Sequence, residues 1–223
     1  MQLIIDTADT KEITRLNDLL TIDGVTTNPS IICKTNKDPI EVIKEIISII
    51  SDEQKLFVQV VSTTYEGIIE ESRFLSSLRK DNMYVKIPVS TEGLRAIKAV
   101  RKEGIKVLAT AIYSAEEGFL AAQSGAEFLA PYVNRMDNYG DGVQNVIDLQ
   151  KMLNNYGMDQ NTQIIAASFK NVSQVHKLLT GGVSGFTLPV DVIDNMVNHP
   201  GTKIAVDQFS KDWKKTYNRE TLV

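Results

Sequence analysis

One lysine interrupts a largely apolar run in Met83-Tyr84-Val85-Lys86-Ile87-Pro88-Val89-Ser90. If this run is a β-strand, its side chains alternate between two faces. Met83, Val85 and Ile87 then share one face, and Lys86 lies on the other. A proline and a serine end the run, and a segment with apolar residues at helical spacing follows it. The stretch therefore predicts a strand followed by an amphipathic helix, with an amine on the second face of the strand.

Burial would change the chemistry of this amine. An ammonium group is costly to remove from water, so a buried lysine tends to lose its proton. A lysine whose pKa falls to about 7–8 has a sizeable neutral fraction and can form an imine with a carbonyl. In the alternative interpretation the stem of Lys86 packs while its ammonium group reaches water. The stretch alone leaves both interpretations open.

The same unit, a short apolar run and then a helical segment, recurs along the chain. The predicted strands cover residues 3–5, 24–28, 56–60, the lysine-bearing stretch, 106–112, 128–133, 163–168 and 185–189. The predicted helices cover residues 10–20, 39–50, 64–78, the segment after the lysine strand, the segment after Ser114, 142–155, 172–179, 190–198 and 203–217. Pro131 inside the sixth strand is awkward for a central strand, because proline lacks an amide hydrogen.

Alternating strands and helices are typical of a parallel sheet with helical crossovers, and eight units favour closure into a barrel. We therefore expect an α/β fold, a (β/α)8 TIM barrel, as a single domain over residues 1–223 with an extra C-terminal helix over 203–217. A doubly wound open sheet is the alternative, but no G-x-G-x-x-G motif follows a strand.

Composition excludes several classes of protein. The chain has 223 residues, 43% hydrophobic and 23% charged, as expected for one compact domain. The net charge of −4 and the lack of a dense basic run argue against nucleic acid as a partner. No apolar run is long enough to span a membrane, and the first apolar run is too short for a signal peptide because Asp6 follows it. We therefore expect a cytoplasmic protein. The single cysteine, Cys33, rules out an internal disulfide, and we expect a buried or semi-buried thiol.

Polar side chains lie near the C-terminal ends of the predicted strands, where barrels of this kind carry their active sites. These residues are Asp6, Thr26, Asn28, Gln59, Lys86, Thr110, Tyr132 and Ser168. The pair Gly181-Gly182 resembles a phosphate loop, but it enters the eighth strand and therefore predicts a turn at the opposite end of the barrel.

The residue types in this predicted ring of polar side chains limit the reactions that it can catalyse. His176 and His199 fall on late helices, so neither a histidine-based triad nor a histidine metal site is supported. Asp6 is the only carboxylate of the ring, which argues against glycosidase chemistry with paired carboxylates. An amine, one carboxylate, one phenol and neutral hydrogen-bonding groups remain. This set suits imine formation and proton transfer on a small polyol carbonyl, without a metal or an organic cofactor.

Five segments, taken in order, resemble the transaldolase family, in its small class-I branch that contains the fructose-6-phosphate aldolases. They are LIIDT at residues 3–7, GVTTNPSII at 24–32, VKIPV at 85–89, APYVNR at 130–135 and AASFK at 166–170. The resemblance covers nearly the whole chain. It implies a (β/α)8 barrel, a Schiff-base lysine at Lys86, no cofactor, and a C-terminal helix that packs on a neighbouring subunit in a pentamer or decamer.

The resemblance also implies roles for individual residues. Asp6 would transfer protons and, with Asn28, hold a substrate hydroxyl. Thr26 and Ser168 would bind sugar hydroxyls or phosphate, and Arg135 would bind the phosphate as a bidentate cation. Gln59, Thr110 and Tyr132 would hold the catalytic water.

Two positions distinguish the branches of the family. Transaldolases usually have Glu where Gln59 stands and Phe where Tyr132 stands, and this sequence has the aldolase pattern at both. The resemblance therefore implies reversible cleavage of fructose 6-phosphate to dihydroxyacetone and glyceraldehyde 3-phosphate. The alternative is a transaldolase of the pentose phosphate pathway, which transfers a dihydroxyacetone unit from sedoheptulose 7-phosphate or fructose 6-phosphate to an aldose phosphate. A non-catalytic barrel that binds sugar phosphates is a more remote alternative.

Overall fold

Eight parallel strands form the centre of the protein. The computed structural model describes residues 1–183 and 185–223. The strands are β1 (Gln2–Asp6), β2 (Gly24–Thr26), β3 (Lys55–Gln59), β4 (Met83–Pro88), β5 (Val107–Ile112), β6 (Phe128–Pro131), β7 (Gln163–Ile164) and β8 (Gly185–Leu188). They pair in the order β7-β6-β5-β4-β3-β2-β1-β8, each parallel to its neighbours. This confirms the predicted (β/α)8 barrel.

The two ends of the sheet meet beyond the short strand β7. An isolated bridge joins Ala166 to Phe186 of β8. The Ala166 amide donates to the Gly185 carbonyl at 2.9 Å, and the Thr187 amide donates to the Ala166 carbonyl at 2.8 Å. The predicted strand over 163–168 is thus regular only over Gln163–Ile164 and continues as isolated bridges at Ala166 and Ala167. Ser168, which has a left-handed backbone with φ of 62°, ends the extended segment.

Helices surround the barrel. They are α1 (Thr10–Leu19), α2 (Pro29–Cys33), α3 (Pro39–Ile49), α4 (Tyr65–Ser77), α5 (Thr91–Lys102), α6 (Ala115–Gln123), α7 (Val133–Met136), α8 (Gly142–Asn155), α9 (Val172–Thr180), α10 (Val190–Val197) and α11 (Pro200–Tyr217). Side chains cap most of the long ones as the sequence indicates; Asp9 and Ser114, for example, accept backbone amides of α1 and α6. Between α9 and β8, Gly182 has φ of 87°, which confirms the turn predicted for the glycine pair.

Two short helices, α2 and α7, were not predicted. Strand β2 ends at Thr26 rather than at residue 28, because Asn28 caps α2 by accepting from the Ile31 amide at 3.0 Å. Val133, predicted at the end of the sixth strand, is instead the first residue of α7. Cys33 is exposed rather than buried, because it ends α2, and that helix buries only Ile32.

Pro131 is accommodated as the last residue of β6. The register between β5 and β6 shifts between Ala109 and Ile112, and Ala111 in this irregular segment has φ of 55°. A β-bulge therefore lies beside the proline, at a place where an amide hydrogen is not needed for a regular ladder.

The core has two layers, one outside and one inside the barrel. Met83, Val85 and Ile87 belong to the outer layer under the helices, and Tyr84 belongs to the inner layer. This confirms the alternation predicted for β4. Inside, the rings of Phe57 and Tyr84 stack at 4.9 Å, and both meet Phe128 edge-on at 5.5 and 5.1 Å. These three rings form the aromatic floor of the barrel. Because Lys86 comes two residues after Tyr84 on β4, it lies one layer above that floor.

The C-terminal helix α11 begins at Pro200, three residues before the predicted start. None of its residues, all of which the structure describes, is buried. No helix in the described part of the chain combines the length and the apolar character that crossing a bilayer requires.

Candidate active site

Lys86 lies on β4 with its side chain inside the barrel, and the residue is 4% exposed. Its amine donates to the Thr27 carbonyl oxygen at 2.7 Å, a contact available to both the charged and the neutral amine. Burial lowers the pKa of Lys86 below its ordinary value, and the nearby Asp6 carboxylate opposes that shift. The fold therefore favours a neutral, nucleophilic amine more than water does.

Asp6 is the last residue of β1 and shares the cavity with Lys86. Burial raises the pKa of its carboxyl group, while the charge of Lys86 and a hydrogen bond from Thr26 oppose the rise. The Thr26 hydroxyl donates to Asp6 Oδ1 at 2.8 Å. Amine and carboxyl are thus both shifted toward their neutral forms, so a proton can pass between this site and a substrate at modest cost.

Tyr132 follows β6 and carries the phenol of the site. The Thr110 hydroxyl lies 3.2 Å from the Tyr132 hydroxyl, and Thr110 itself is buried. Burial raises the pKa of Tyr132, so the phenol keeps its proton and can donate a hydrogen bond. The Arg135 guanidinium lies over the Tyr132 ring at 4.8 Å, and the Tyr113 ring meets it edge-on at 5.7 Å.

A cavity of about 420 Å³ opens at the C-terminal mouth of the barrel. The residues predicted from the sequence that line it are Asp6, Asn28, Lys86, Tyr132, Arg135 and Ser168. Thr26 and Thr110 lie behind the wall and contact it through Asp6 and Tyr132.

Gln59 is placed differently from the rest of the predicted set. It pairs with Lys86 in the register of β3 and β4, but it lines a neighbouring groove beside Pro29 and Phe74 rather than the cavity. Its side-chain oxygen is buried and has no hydrogen-bond partner among the described residues. An orphaned acceptor next to Lys86 is consistent with the predicted water-holding role but does not test it.

Cations surround the mouth of the cavity. Lys34, Arg135 and Lys170 all line it, and none of them is in an ion pair within the described residues. Arg135 instead donates to the Tyr113 hydroxyl at 3.4 Å, a long and weak contact. The mouth can therefore receive an anionic group, and a phosphate suits the fork of an arginine.

Ser168 reaches the cavity through an unusual backbone. Its left-handed φ of 62° is uncommon outside glycine, and such strain is found where a site depends on it. The carbonyl groups of Ala167 and Ser168 accept the Val133 and Asn134 amides, both at 2.9 Å, which ties this turn to α7. The segments bearing Ser168 and Arg135 are thus held together at one side of the mouth.

Six polar residues that line the cavity were not predicted as site residues, namely Ser30, Lys34, Asn134, Lys170, Thr187 and Asp191. Asp191 corrects the expectation that Asp6 is the only carboxylate at this end of the barrel. Thr187 had a signal, since a polar residue alternates with Phe186 and Leu188 in a short apolar strand. Lys34 and Lys170 lie outside the strands, so the alternation of strand residues does not predict where their side chains point. Among the described residues no group of three or more His, Cys, Asp or Glu side chains is placed to hold a metal ion.

Comparison with known proteins identifies both a family and a fold. A family model described as transaldolase/fructose-6-phosphate aldolase matches residues 3–221, which confirms the resemblance carried by the sequence motifs. Among solved structures, a mutant flavocytochrome b2 with benzoylformate is similar with a TM-score of 0.61 at 12% identity, over 85% of this chain and 57% of that chain. A second flavocytochrome b2 mutant, with pyruvate bound, gives the same values. The chain spans little more than half the length of these structures, and at this identity they show the fold alone.

Proposed function

We propose, since the chain belongs to the transaldolase/fructose-6-phosphate aldolase family, that it is a Schiff-base aldolase that cleaves fructose 6-phosphate reversibly to dihydroxyacetone and glyceraldehyde 3-phosphate. The observation that carries the proposal is the buried amine of Lys86 facing the cavity beside Asp6. This activity requires a sugar phosphate as its substrate. We place the activity in the cytoplasm as part of the same proposal.

Imine formation uses the two groups with shifted pKa values. The neutral Lys86 amine attacks the C2 ketone of the open-chain sugar to give a carbinolamine. Asp6, whose pKa is raised, supplies the proton with which the hydroxyl leaves as water. The product is an iminium ion, which withdraws electrons from C3.

Cleavage then requires a base at the C4 hydroxyl. A water molecule held by Tyr132, Thr110 and Gln59 takes that proton, the C3–C4 bond breaks, and its electron pair forms the enamine as glyceraldehyde 3-phosphate leaves. Protonation of the enamine carbon and hydrolysis of the resulting iminium release dihydroxyacetone and restore the amine. Asn28 uses its side-chain oxygen to cap α2, so its NH2 group remains as a donor to a sugar hydroxyl.

The second candidate function is transaldolase, in which the enamine waits for an aldose phosphate acceptor instead of being protonated. The phenol of Tyr132 beside the Thr110 hydroxyl favours the aldolase, because it can hold a water molecule at the enamine carbon. Release of free dihydroxyacetone from fructose 6-phosphate without any acceptor distinguishes the two. Transfer alone, with no release, would establish the transaldolase.

Borohydride trapping tests the covalent step. Reduction in the presence of fructose 6-phosphate is expected to add the mass of one reduced dihydroxyacetone unit to the wild type and none to Lys86→Met. The matched control is Lys98→Met, because Lys98 is an exposed lysine on α5 and its loss leaves the cavity unchanged. Labelling of Lys86→Met to the wild-type extent would reject the assignment of the nucleophile. Binding of sugar phosphate without any adduct in the wild type would instead indicate a non-catalytic barrel.

A further inference from the structure

Thr187 connects to Asp6 through a second threonine. It lies on β8, is 1% exposed, and lines the cavity that holds Lys86. Its hydroxyl oxygen is 2.5 Å from that of Thr26, which in turn donates to Asp6 Oδ1 at 2.8 Å. The three residues come from adjacent strands, with β1 between β2 and β8. Two buried hydroxyls thus lead from the inner wall of the barrel to the carboxyl group.

The order of donors along this chain follows from the number of hydrogens. Each threonine hydroxyl has one hydrogen, and an ionised carboxylate has none. When Thr26 gives its hydrogen to Asp6, only Thr187 can supply the hydrogen between the two hydroxyls. The chain then runs from Thr187 to Thr26 to Asp6, and each bond strengthens the next. In the described part of the protein neither hydroxyl has another hydrogen-bond partner that would orient it.

Protonation of Asp6 at Oδ1 reverses the chain. The carboxyl group then donates to Thr26, Thr26 donates to Thr187, and the hydrogen of Thr187 becomes free to point into the cavity. When Asp6 is ionised, the Thr187 hydroxyl can only accept a hydrogen bond from a group in the cavity. When Asp6 is protonated, the Thr187 hydroxyl can donate one. A valine at position 187 would fill the same space and could do neither.

We propose that Thr187 is a positioning residue for proton transfer at Asp6, acting through Thr26 to orient the carboxyl group and to stabilise its ionised form. The inference rests on the proposed function, since Asp6 is assigned there as the proton donor. Other charges also act on Asp6, namely Lys86 on β4, Lys34 after α2 and Arg135 on α7. Tyr132, Lys170 and Asp191 line the same cavity. None of these groups touches Thr187 by a side-chain hydrogen bond within the described residues, so a substitution there isolates the hydroxyl chain.

The test measures the titration of Asp6 directly in the unliganded protein. Carbon-13 NMR of protein labelled at the aspartate carboxyl groups reports each titration, and the Asp6 signal is the one that Asp6→Asn removes. Removing Thr187 costs one hydrogen bond in both states of Asp6, but the chain that ends on the charged carboxylate is the stronger one. The ionised form therefore loses more, which raises the pKa of Asp6. Thr187→Val is therefore expected to move the Asp6 midpoint upward by about 0.5–1 pH unit, and Thr187→Ser to restore it.

The matched control is Thr162→Val. Thr162 is also a buried threonine, 3% exposed, but its hydroxyl donates to the Ala126 carbonyl at 2.8 Å, away from the cavity. This variant is expected to leave the Asp6 titration at the wild-type midpoint. If Thr187→Val does not fold, Thr187→Ala removes the same hydroxyl with less crowding and carries the same expected shift.

Turnover gives the second readout. We expect Thr187→Val to lower kcat by about tenfold with a smaller change in KM, since the lost function lies in proton transfer rather than in binding. An unchanged Asp6 midpoint in Thr187→Val, or an equal shift in Thr162→Val, would overturn the inference. Failure of the proposed function has a different signature, namely absence of the borohydride adduct at Lys86 with the Asp6 shift still present.

Discussion

At the scale of single residues, the site depends on removing a pair of opposite charges from water. Lys86 and Asp6 are both enclosed, and burial is the largest influence on the pKa of each. Their mutual attraction opposes the shifts but does not reverse them. An amine and a carboxyl group whose pKa values are both shifted toward the neutral forms can exchange protons with a substrate in either direction, as a reversible carbonyl reaction requires.

Arg135 is expected to recognise the phosphate, because it is at the mouth of the cavity and has no carboxylate partner among the described residues. Arg135→Ala should raise KM for glyceraldehyde 3-phosphate in the synthetic direction by roughly 10- to 150-fold, the range of a charge-assisted contact. KM for unphosphorylated glyceraldehyde should change far less.

The matched control for this measurement is Arg95→Ala. Arg95 also stacks on a tyrosine, with its guanidinium 4.5 Å from the Tyr65 ring, but it lies outside the cavity. Equal losses for both aldehydes in Arg135→Ala would show that Arg135 acts by supporting the structure.

Tyr132 is expected to decide what happens to the enamine. Tyr132→Phe should lower acceptor-free release of dihydroxyacetone by about 10²–10⁴-fold, because a phenyl ring cannot orient the water that protonates carbon. Any slowing of C3–C4 cleavage lowers release and transfer alike, so the effect on enamine protonation is read from their ratio. Transfer to erythrose 4-phosphate should fall much less than release, since the enamine survives longer. Both rates are measured on one preparation, with Tyr84→Phe in the aromatic floor as the control. A parallel fall of the two rates in Tyr132→Phe would remove the reason for preferring the aldolase.

At the scale of secondary structure, β4 and α5 are held in contact by a glycine. A Cβ atom at Gly93 would lie 2.0 Å from the Pro88 carbonyl oxygen, and the Gly93 amide donates to Ser90 Oγ at 3.0 Å. The first turn of α5 is therefore packed directly on the end of the strand that carries Lys86. The position of the nucleophile depends on how closely this helix approaches.

Gly93→Ala is expected to destabilise the fold by about 1–3 kcal/mol, because the helix must move away from the strand to admit a methyl group. The free energy of unfolding is measured by urea denaturation, together with the rate of imine formation at Lys86. Gly140→Ala is the control, since a Cβ atom there meets no atom within 4 Å. Equal denaturation midpoints for the two variants would contradict the close contact.

The elements also show what the sequence could and could not predict. The period-2 pattern around Lys86 predicted which side chains face inward, because alternation is a property of the extended backbone. Helix α2 was missed since its five residues are too few to show a helical period, although Asn28 followed by proline is a signal for a helix start. The left-handed backbone at Ser168 could not be predicted, because no glycine at this position signals it. It depends on hydrogen bonds with α7, which only the structure shows.

At the scale of the whole molecule, α11 contributes no buried residue to the core of the barrel. Ile204, Val206, Phe209 and Tyr217 are between 54% and 69% exposed, and the helix buries no residue. Exposed apolar side chains over several turns are typical of a surface that contacts another chain. We propose that this helix packs on a neighbouring subunit of a pentamer or decamer.

Deletion of the chain after Asn198 is therefore expected to lower the mass measured by light scattering, because the apolar contact between subunits is lost. Phe209→Asp should have the same effect without shortening the chain. Gln208→Asp is the control on the same helix, since it introduces the same charge without removing an apolar side chain. An unchanged mass in both the deletion and Phe209→Asp would mean that α11 has no part in the assembly.

The aromatic floor of Phe57, Tyr84 and Phe128 has a kinetic consequence. These rings pack beneath Lys86, and the cavity opens at the C-terminal mouth of the barrel, where both products of the proposed reaction would leave. In the proposed reaction the aldehyde formed by cleavage is the outer fragment, and it departs while the inner fragment is still tethered to the lysine. For the proposed aldolase we therefore expect sequential release, with glyceraldehyde 3-phosphate first and dihydroxyacetone last. A high concentration of the aldehyde then returns the tethered fragment to ketose before it can escape.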